Sequence, residues 1–297
     1  MNPFATFAGT CALLAALATP AAIPEPDPAV VATRDARLLA EAIRSLPAQR
    51  PGTIDLYAMA VAGDGTEDVF RNEAEYFVRM ARQRFRARGT LALVSHPASL
   101  ARRPLPLATY DNLRDALAGL GRTMDADEDV LLLYLTMHGT PEHELVLHFP
   151  PLVNDALVPE DLASLLDDSG IRHRVLVVSA CYSGGFLPAL RDPDALVIAA
   201  ARDDRPSFGC GTASNVTWFG RAWMVEGLNR RADFAAAFAD ATGRIAQWER
   251  EEGVEASEPQ LASGARIAKR LRAWRAQSPP GPPLAYPLPL ERPEPSP

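Results

Sequence analysis

The sequence predicts a three-layer α/β domain, an open and mainly parallel sheet with helices on both faces. The runs VLLLYLTM (130–137) and VLVVSA (175–180) are apolar at nearly every position, which fits strands buried on both faces rather than half-exposed ones. Such runs alternate along the chain with segments whose apolar residues recur at helical spacing. No internal repeat interrupts the alternation, so a single domain is expected.

Taken in order, Arg34–Leu46 carries Leu38, Leu39, Ala42, Ile43 and Leu46 on one helical face and stops at Pro47. Thr53–Ala62 reads as a first strand, closed by Gly63-Asp64-Gly65. Asn72–Ala87 has a helical stripe of Ala74, Phe77, Val78, Ala81 and Phe85, and Thr90–Ser95 is a short strand. Asp111–Leu120 is a helix, followed by an acidic turn (Asp125, Asp127, Glu128, Asp129) and the strand Val130–Met137. Leu145–Phe149 reads as a hairpin strand. Pro159–Asp168 is a helix with proline in its first turn and Gly170 just past its end. Arg174–Ala180 and Ala195–Ala200 are further buried strands, and helices are expected at Trp218–Leu228, Asp233–Glu251 and Gly264–Ala276.

Composition narrows the function. The chain has 297 residues, a formal net charge of −7, 47% hydrophobic and 23% charged residues, the balance of a globular protein able to bury a large core. An acidic chain without Lys/Arg blocks is no phosphate-tracking nucleic-acid binder. Three cysteines, Cys11, Cys181 and Cys210, do not make a disulfide framework. Phe4–Ala22 is uncharged and centres on Leu13, Leu14 and Leu17, so residues 1–22 read as a secretory signal peptide with Thr19-Pro20-Ala21 near the cleavage site. The segment's length approaches the roughly 20 residues that span a bilayer, which leaves an uncleaved membrane anchor as the alternative. Pro20 and the stretch Pro24–Pro28 count against a continuous spanning helix. The expectation is an exported protein, periplasmic or secreted, with its working domain at 23–277 and a disordered, solvated Pro-rich tail at 278–297.

In a parallel sheet, ligands bind beyond the carboxyl ends of the strands. Two strands end in reactive side chains: one runs into His138-Gly139, the other into Cys181-Tyr182-Ser183-Gly184-Gly185. A thiol needs a nearby imidazole to favour its thiolate and to protonate a leaving group. Gly139 leaves room for a substrate, and its N–H with that of Cys181 suits a developing oxyanion. Gly184-Gly185 is expected to permit a sharp turn into the next helix. Each strand end is ordinary alone; together they point to nucleophilic catalysis.

At these residues the sequence resembles the legumain family of cysteine peptidases, within the caspase-like group. Members pair a hydrophobic block ending in His-Gly with a second ending in Ala-Cys, here LLLYLTM-His138-Gly139 and VLVVS-Ala180-Cys181. The flanks agree, and the similarity runs from about Asp55 to Trp223. The resemblance implies a three-layer caspase-like fold, a peptide or protein substrate, and no metal or organic cofactor. It implies that Cys181 is the nucleophile that forms a thioester and that His138 is the general acid–base. Legumain-like enzymes favour Asn on the acyl side of the cleaved bond. Phe70-Arg71-Asn72-Glu73-Ala74-Glu75 resembles the family stretch whose Arg lines that pocket, which points to Arg71. Ser207, in Ser207-Phe208-Gly209-Cys210, matches a pocket serine, whereas the family's pocket acid falls at Arg221. Two guanidinium groups suit an acidic side chain better than an amide, so a preference for Asp or Glu is expected. The alternative is that Arg221 turns outward or pairs with Asp203 or Asp204.

Other chemistry is weaker. Glu142-His143-Glu144 with His148 has no common zinc spacing, and on a strand the two histidines face opposite sides. Asp125–Asp129 lacks the Gly and terminal Glu of a calcium loop. Ser179 and Ser183 flank the cysteine without a Gly-x-Ser-x-Gly elbow. A cysteine endopeptidase is the leading reading. The alternatives are a transamidase using the same pair and a catalytically silent caspase-like binding scaffold, and nothing in the sequence separates hydrolysis from transfer.

Overall fold

The computed structural model describes residues 26–101 and 104–290, so the signal-peptide and anchor readings fall on residues outside the described ones. Among the described residues no helix is long and apolar enough to cross a membrane. The elements follow in chain order: α1 Pro28–Arg44, β1 Leu56–Ala62, α2 Asp68–Gln83, β2 Gly89–Val94, the short α3 Pro97–Leu100, α4 Tyr110–Thr123 and β3 Val130–Thr136. Then come β4 Leu145–Phe149, β5 Val153–Leu157, α5 Pro159–Asp168, β6 His173–Ser179, a 3-10 turn Ser183–Phe186, α6 Leu187–Leu190 and β7 Ala195–Ala199. A π-helix Gly220–Gly227 runs into α7 Leu228–Arg230, followed by α8 Phe234–Glu252, β8 Gln260–Ser263 and α9 Ala265–Gln277.

The main sheet has the order β2-β1-β3-β6-β7-β8. All its pairings are parallel except that of β8, which lies antiparallel on β7. Every residue of β1, β3 and β7 is buried, as expected for strands covered on both faces. Alternate residues divide between two cores. Leu132, Tyr134, Val175, Val177 and Ile198 pack under α2, the π-helix, α8 and α9. Leu131, Leu133, Leu135, Leu176, Val178 and Val197 pack under α1, α4 and α5. Strand periodicity thus builds the three layers directly.

Some elements differ from expectation for local reasons. Helix α1 begins earlier, because the Asp27 side chain accepts from the Ala29 N–H at 2.8 Å and Pro28 suits a first turn. The helix predicted over Trp218–Leu228 is largely a π-helix. Strand β8 has no counterpart among the expected elements; it is short, only partly buried, and defined by its pairing with β7 rather than by apolar pattern.

The larger correction concerns the Pro-rich tail. As far as Leu290 it is no solvated end but a strap bound across the α2 and π-helix side of the body. Arg84 donates through Nη1 to the Gly281 carbonyl at 2.8 Å, and the Gly281 N–H returns to the Arg84 carbonyl at 2.7 Å. A side chain at Gly281 would collide with the Gln83 carbonyl. Tyr76 Oη donates to the Leu284 carbonyl at 2.7 Å, and Asn229 pairs with both backbone groups of Leu284. Tyr286 stacks edge-on against Tyr76 and donates to the Asn215 carbonyl. An extended Pro-rich backbone makes no hydrogen bonds within itself, and here side chains of the body and the Arg84 carbonyl bond to it. Composition could not show this, since every partner comes from elsewhere in the chain.

Deleting residues 279–297 is therefore expected to lower the unfolding free energy by about 2–4 kcal/mol, from the apolar burial and hydrogen bonds lost. The thermal midpoint should fall by roughly 5–10 °C, as measured by circular dichroism. An unchanged midpoint would contradict the strap.

Candidate active site

Strands β3 and β6 are adjacent and parallel, in register from Val130 opposite His173 to Thr136 opposite Ser179. His138 and Cys181 each lie two residues past the ends of that register, on the same edge of the sheet. The Met137 N–H still reaches the Ser179 carbonyl at 3.4 Å. Next to it, Gly139 lies so close to the Cys181 carbonyl that any β-carbon there would collide with it. Gly139 is thus a packing requirement of this junction: a larger residue there would push the two strand ends apart.

Cys181 is followed by a turn, but the glycines do not make it in the way expected. The residue in the left-handed region is Tyr182, at φ 55° and ψ 16°, a conformation that costs a non-glycine residue about 1–2 kcal/mol. It is held by its N–H, which donates to the Arg205 carbonyl at 2.8 Å. Gly184 and Gly185 instead provide space. A methyl on Gly184 would strike the Asp203 backbone, and one on Gly185 the His143 ring, which is itself fixed by an Nε2–H bond to the Asp203 carbonyl at 3.0 Å.

The thiol sits in a cradle. The Ser207 N–H donates to Cys181 Sγ at 3.2 Å, and the thiol faces the Ser207 carbonyl at 3.4 Å. A hydrogen bond from the buried Cys210 thiol is the largest influence on Cys181, and it outweighs burial to bring the Cys181 thiol down to about 7. The same pairing, with burial, pushes the Cys210 thiol far up. Cys210 therefore keeps its proton and shares it with the Cys181 sulfur. Both cysteines are free thiols. Ser207 meets the site through its backbone.

Helix α2 supplies the neighbouring wall. Arg71 donates from Nη2 to Asn72 Oδ1 at 2.9 Å and lies 3.4 Å from Asp68 Oδ2, while its buried Nε has no hydrogen-bond partner. Asn72 reaches the Asn215 carbonyl at 3.4 Å. Glu73 is fully buried and accepts from Tyr134 Oη, Thr136 Oγ1 and the Thr217 N–H, each at 2.7 Å. Burial pushes its carboxyl up, against those three bonds. Glu73 thereby ties α2 to the end of β3 and to the loop that carries Ser207 and Cys210. The sequence reading passed over it, although a Glu four residues from both Val69 and Phe77 stands on the buried stripe of the helix.

Arg221 corrects the two-guanidinium pocket. Its Nε donates to Glu226 at 2.9 Å, its Nη1 to the Leu290 carbonyl at 2.9 Å, and its guanidinium stacks on Trp248 at 4.9 Å. Its charge is answered by Glu226, not by Asp203 or Asp204; Asp204 is paired with Arg202. With Arg221 engaged by these partners, the basis for an acidic preference is gone.

A mainly parallel sheet between helical layers, with a thiol and an imidazole past the carboxyl ends of adjacent strands, is the architecture of a caspase-like cysteine peptidase. Residues 112–267, just over half of the chain, match the model described as Peptidase C13 family, and the chain belongs to that family, the legumain family of cysteine-type peptidases. No curated protein matches it. His138, Cys181, Ser207, Cys210 and Arg221 fall within the matched residues; Arg71 and Glu73 lie before them.

Alkylation of Cys181 by iodoacetamide should rise with pH to a midpoint near 7, because only the thiolate reacts. In Cys210→Ala the midpoint should move up toward that of an ordinary thiol. A midpoint that stays in place would show that Cys210 does not support the thiolate.

Proposed function

We propose that the chain is a cysteine endopeptidase in which Cys181 and His138 form the catalytic dyad. The observation that carries this reading is the β3–β6 register, which brings both strand ends to one edge and sets Gly139 against the Cys181 backbone. The Cys181 sulfur, as thiolate, attacks the carbonyl carbon of the scissile bond. The oxygen takes up the negative charge facing the N–H groups of Gly139 and Cys181. His138, carrying the proton taken from the thiol, gives it to the departing amine, and a thioester remains. Water attacks the thioester with His138 as base, the acid leaves, and Cys181 is regenerated. No electrons are exchanged and no cofactor is used.

The substrate is an extended peptide or protein segment. Arg71, with a donor left unpaired at Nε, and the Ser207 loop flank the acyl side of the bond. The enzyme is taken to act outside the cytoplasm, on the strength of the apolar segment 4–22. An amine in place of water at the second step gives transfer rather than hydrolysis; adding a peptide with a free amino terminus and looking for ligated product separates the two.

A peptidyl electrophile directed at thiols tests the dyad. Mass spectrometry should find it on Cys181 in the wild type, with labelling at least 10-fold slower in His138→Ala and absent in Cys181→Ala. Equal labelling of wild type and His138→Ala, or none at Cys181, would favour a binding scaffold without catalysis.

A further inference from the structure

Resting on the dyad reading above, we infer that Glu67 is the positioning residue of His138, its carboxylate holding the imidazole through Nε2 and leaving Nδ1 for the Cys181 sulfur. Glu67 Oε2 lies 3.5 Å from His138 Nε2, with the carboxylate side chain only 17% exposed. Glu67 is the N-cap residue of α2, yet its side chain makes no capping bond. A short acidic side chain at that position ordinarily caps its own helix; this longer one turns away toward the imidazole. Oε2 is buried and without a hydrogen-bond partner, a costly state for a carboxylate oxygen unless a cation answers it. The imidazolium formed when Cys181 gives up its proton is that cation.

The ring is held from a second side. Phe70, one turn further along α2, meets the imidazole edge-on, at 5.0 Å between centroids and 83° between planes. With one nitrogen facing Glu67 and the ring plane set by Phe70, the imidazole has little rotational freedom left. At 3.5 Å the pair is longer than a hydrogen bond, as catalytic contacts often are before substrate closes the site. Glu67 also acts electrostatically on Cys210, so the carboxylate, the imidazole and both thiols belong to one cluster. Glu67 lies outside the residues matched to the family.

The test uses the full chain and a fluorogenic peptide turned over by the wild type. Glu67→Gln keeps the shape and removes the charge. It should lower kcat by about 10- to 100-fold, with KM within about 2-fold and the thermal midpoint unchanged; Glu67→Ala should lose at least as much. A merely structural role would move other quantities. Because α2 carries Arg71, a disturbed helix would raise KM and lower the thermal midpoint. Either that pattern, or a kcat for Glu67→Gln within 2-fold of wild type, overturns the inference. Cys181→Ala and His138→Ala are measured alongside. If both are inactive while Glu67→Gln is fully active, the dyad stands and Glu67 alone falls; activity surviving in Cys181→Ala removes both.

Discussion

The parallel pairing of β3 with β6 is the constraint on which the site depends. Two reactive side chains far apart in the chain reach one edge because Val130 pairs with His173 and the register runs unbroken to Thr136 and Ser179. A slip of one residue would exchange the two faces of β6 and send Val175 and Val177 into the wrong core. The register is thus secured by the burial of both sheet faces, and the site inherits that rigidity. Gly139 adds a local requirement, since the strand ends approach so closely that only a residue without a β-carbon fits between them.

Helix α2 organises the other half of the site. From its amino-terminal turns Glu67 reaches His138, Arg71 presents a partly unpaired guanidinium, Asn72 touches the Asn215 backbone, and Glu73 bonds β3 and Thr217. Behind that wall lies the Pro-rich strap, bonded to Asn215 and Arg221 at its far end. Bonds through Tyr76, Asn229 and Arg84 connect the strap to α2 and α7. The loop that cradles the Cys181 sulfur is therefore continuous with α2 on one side and with the strap on the other.

What the sequence made legible was whatever rests on pattern and local chemistry. Unbroken apolar runs marked β3, β6 and β7, helical spacing marked α1 and α2, a first-turn proline and a following glycine marked α5, and the two strand ends carried His138 and Cys181. Residues whose role depends on distant partners stayed hidden. Arg221 read as a pocket cation because its neighbours in sequence do not include Trp248 or Leu290, which engage it. The tail read as solvated because nothing in a Pro-rich stretch announces Tyr76 or Asn229. The pairing of Cys210 with Cys181, and the approach of Glu67 to His138, likewise join residues far apart in the chain. Each is placed by a contact across the chain, which no periodicity encodes.

The central claim, that the imidazole and the sulfur work on the same carbonyl at the β3–β6 edge, is tested most directly by a crystal structure of the protein treated with a peptidyl ketone carrying a leaving group. The account predicts a covalent bond to Cys181 Sγ, the ligand oxygen within hydrogen-bond distance of the Gly139 and Cys181 N–H groups, and His138 beside the bonded carbon. An adduct on Cys181 with the oxygen turned into solvent and the His138 ring directed away from it would contradict the account.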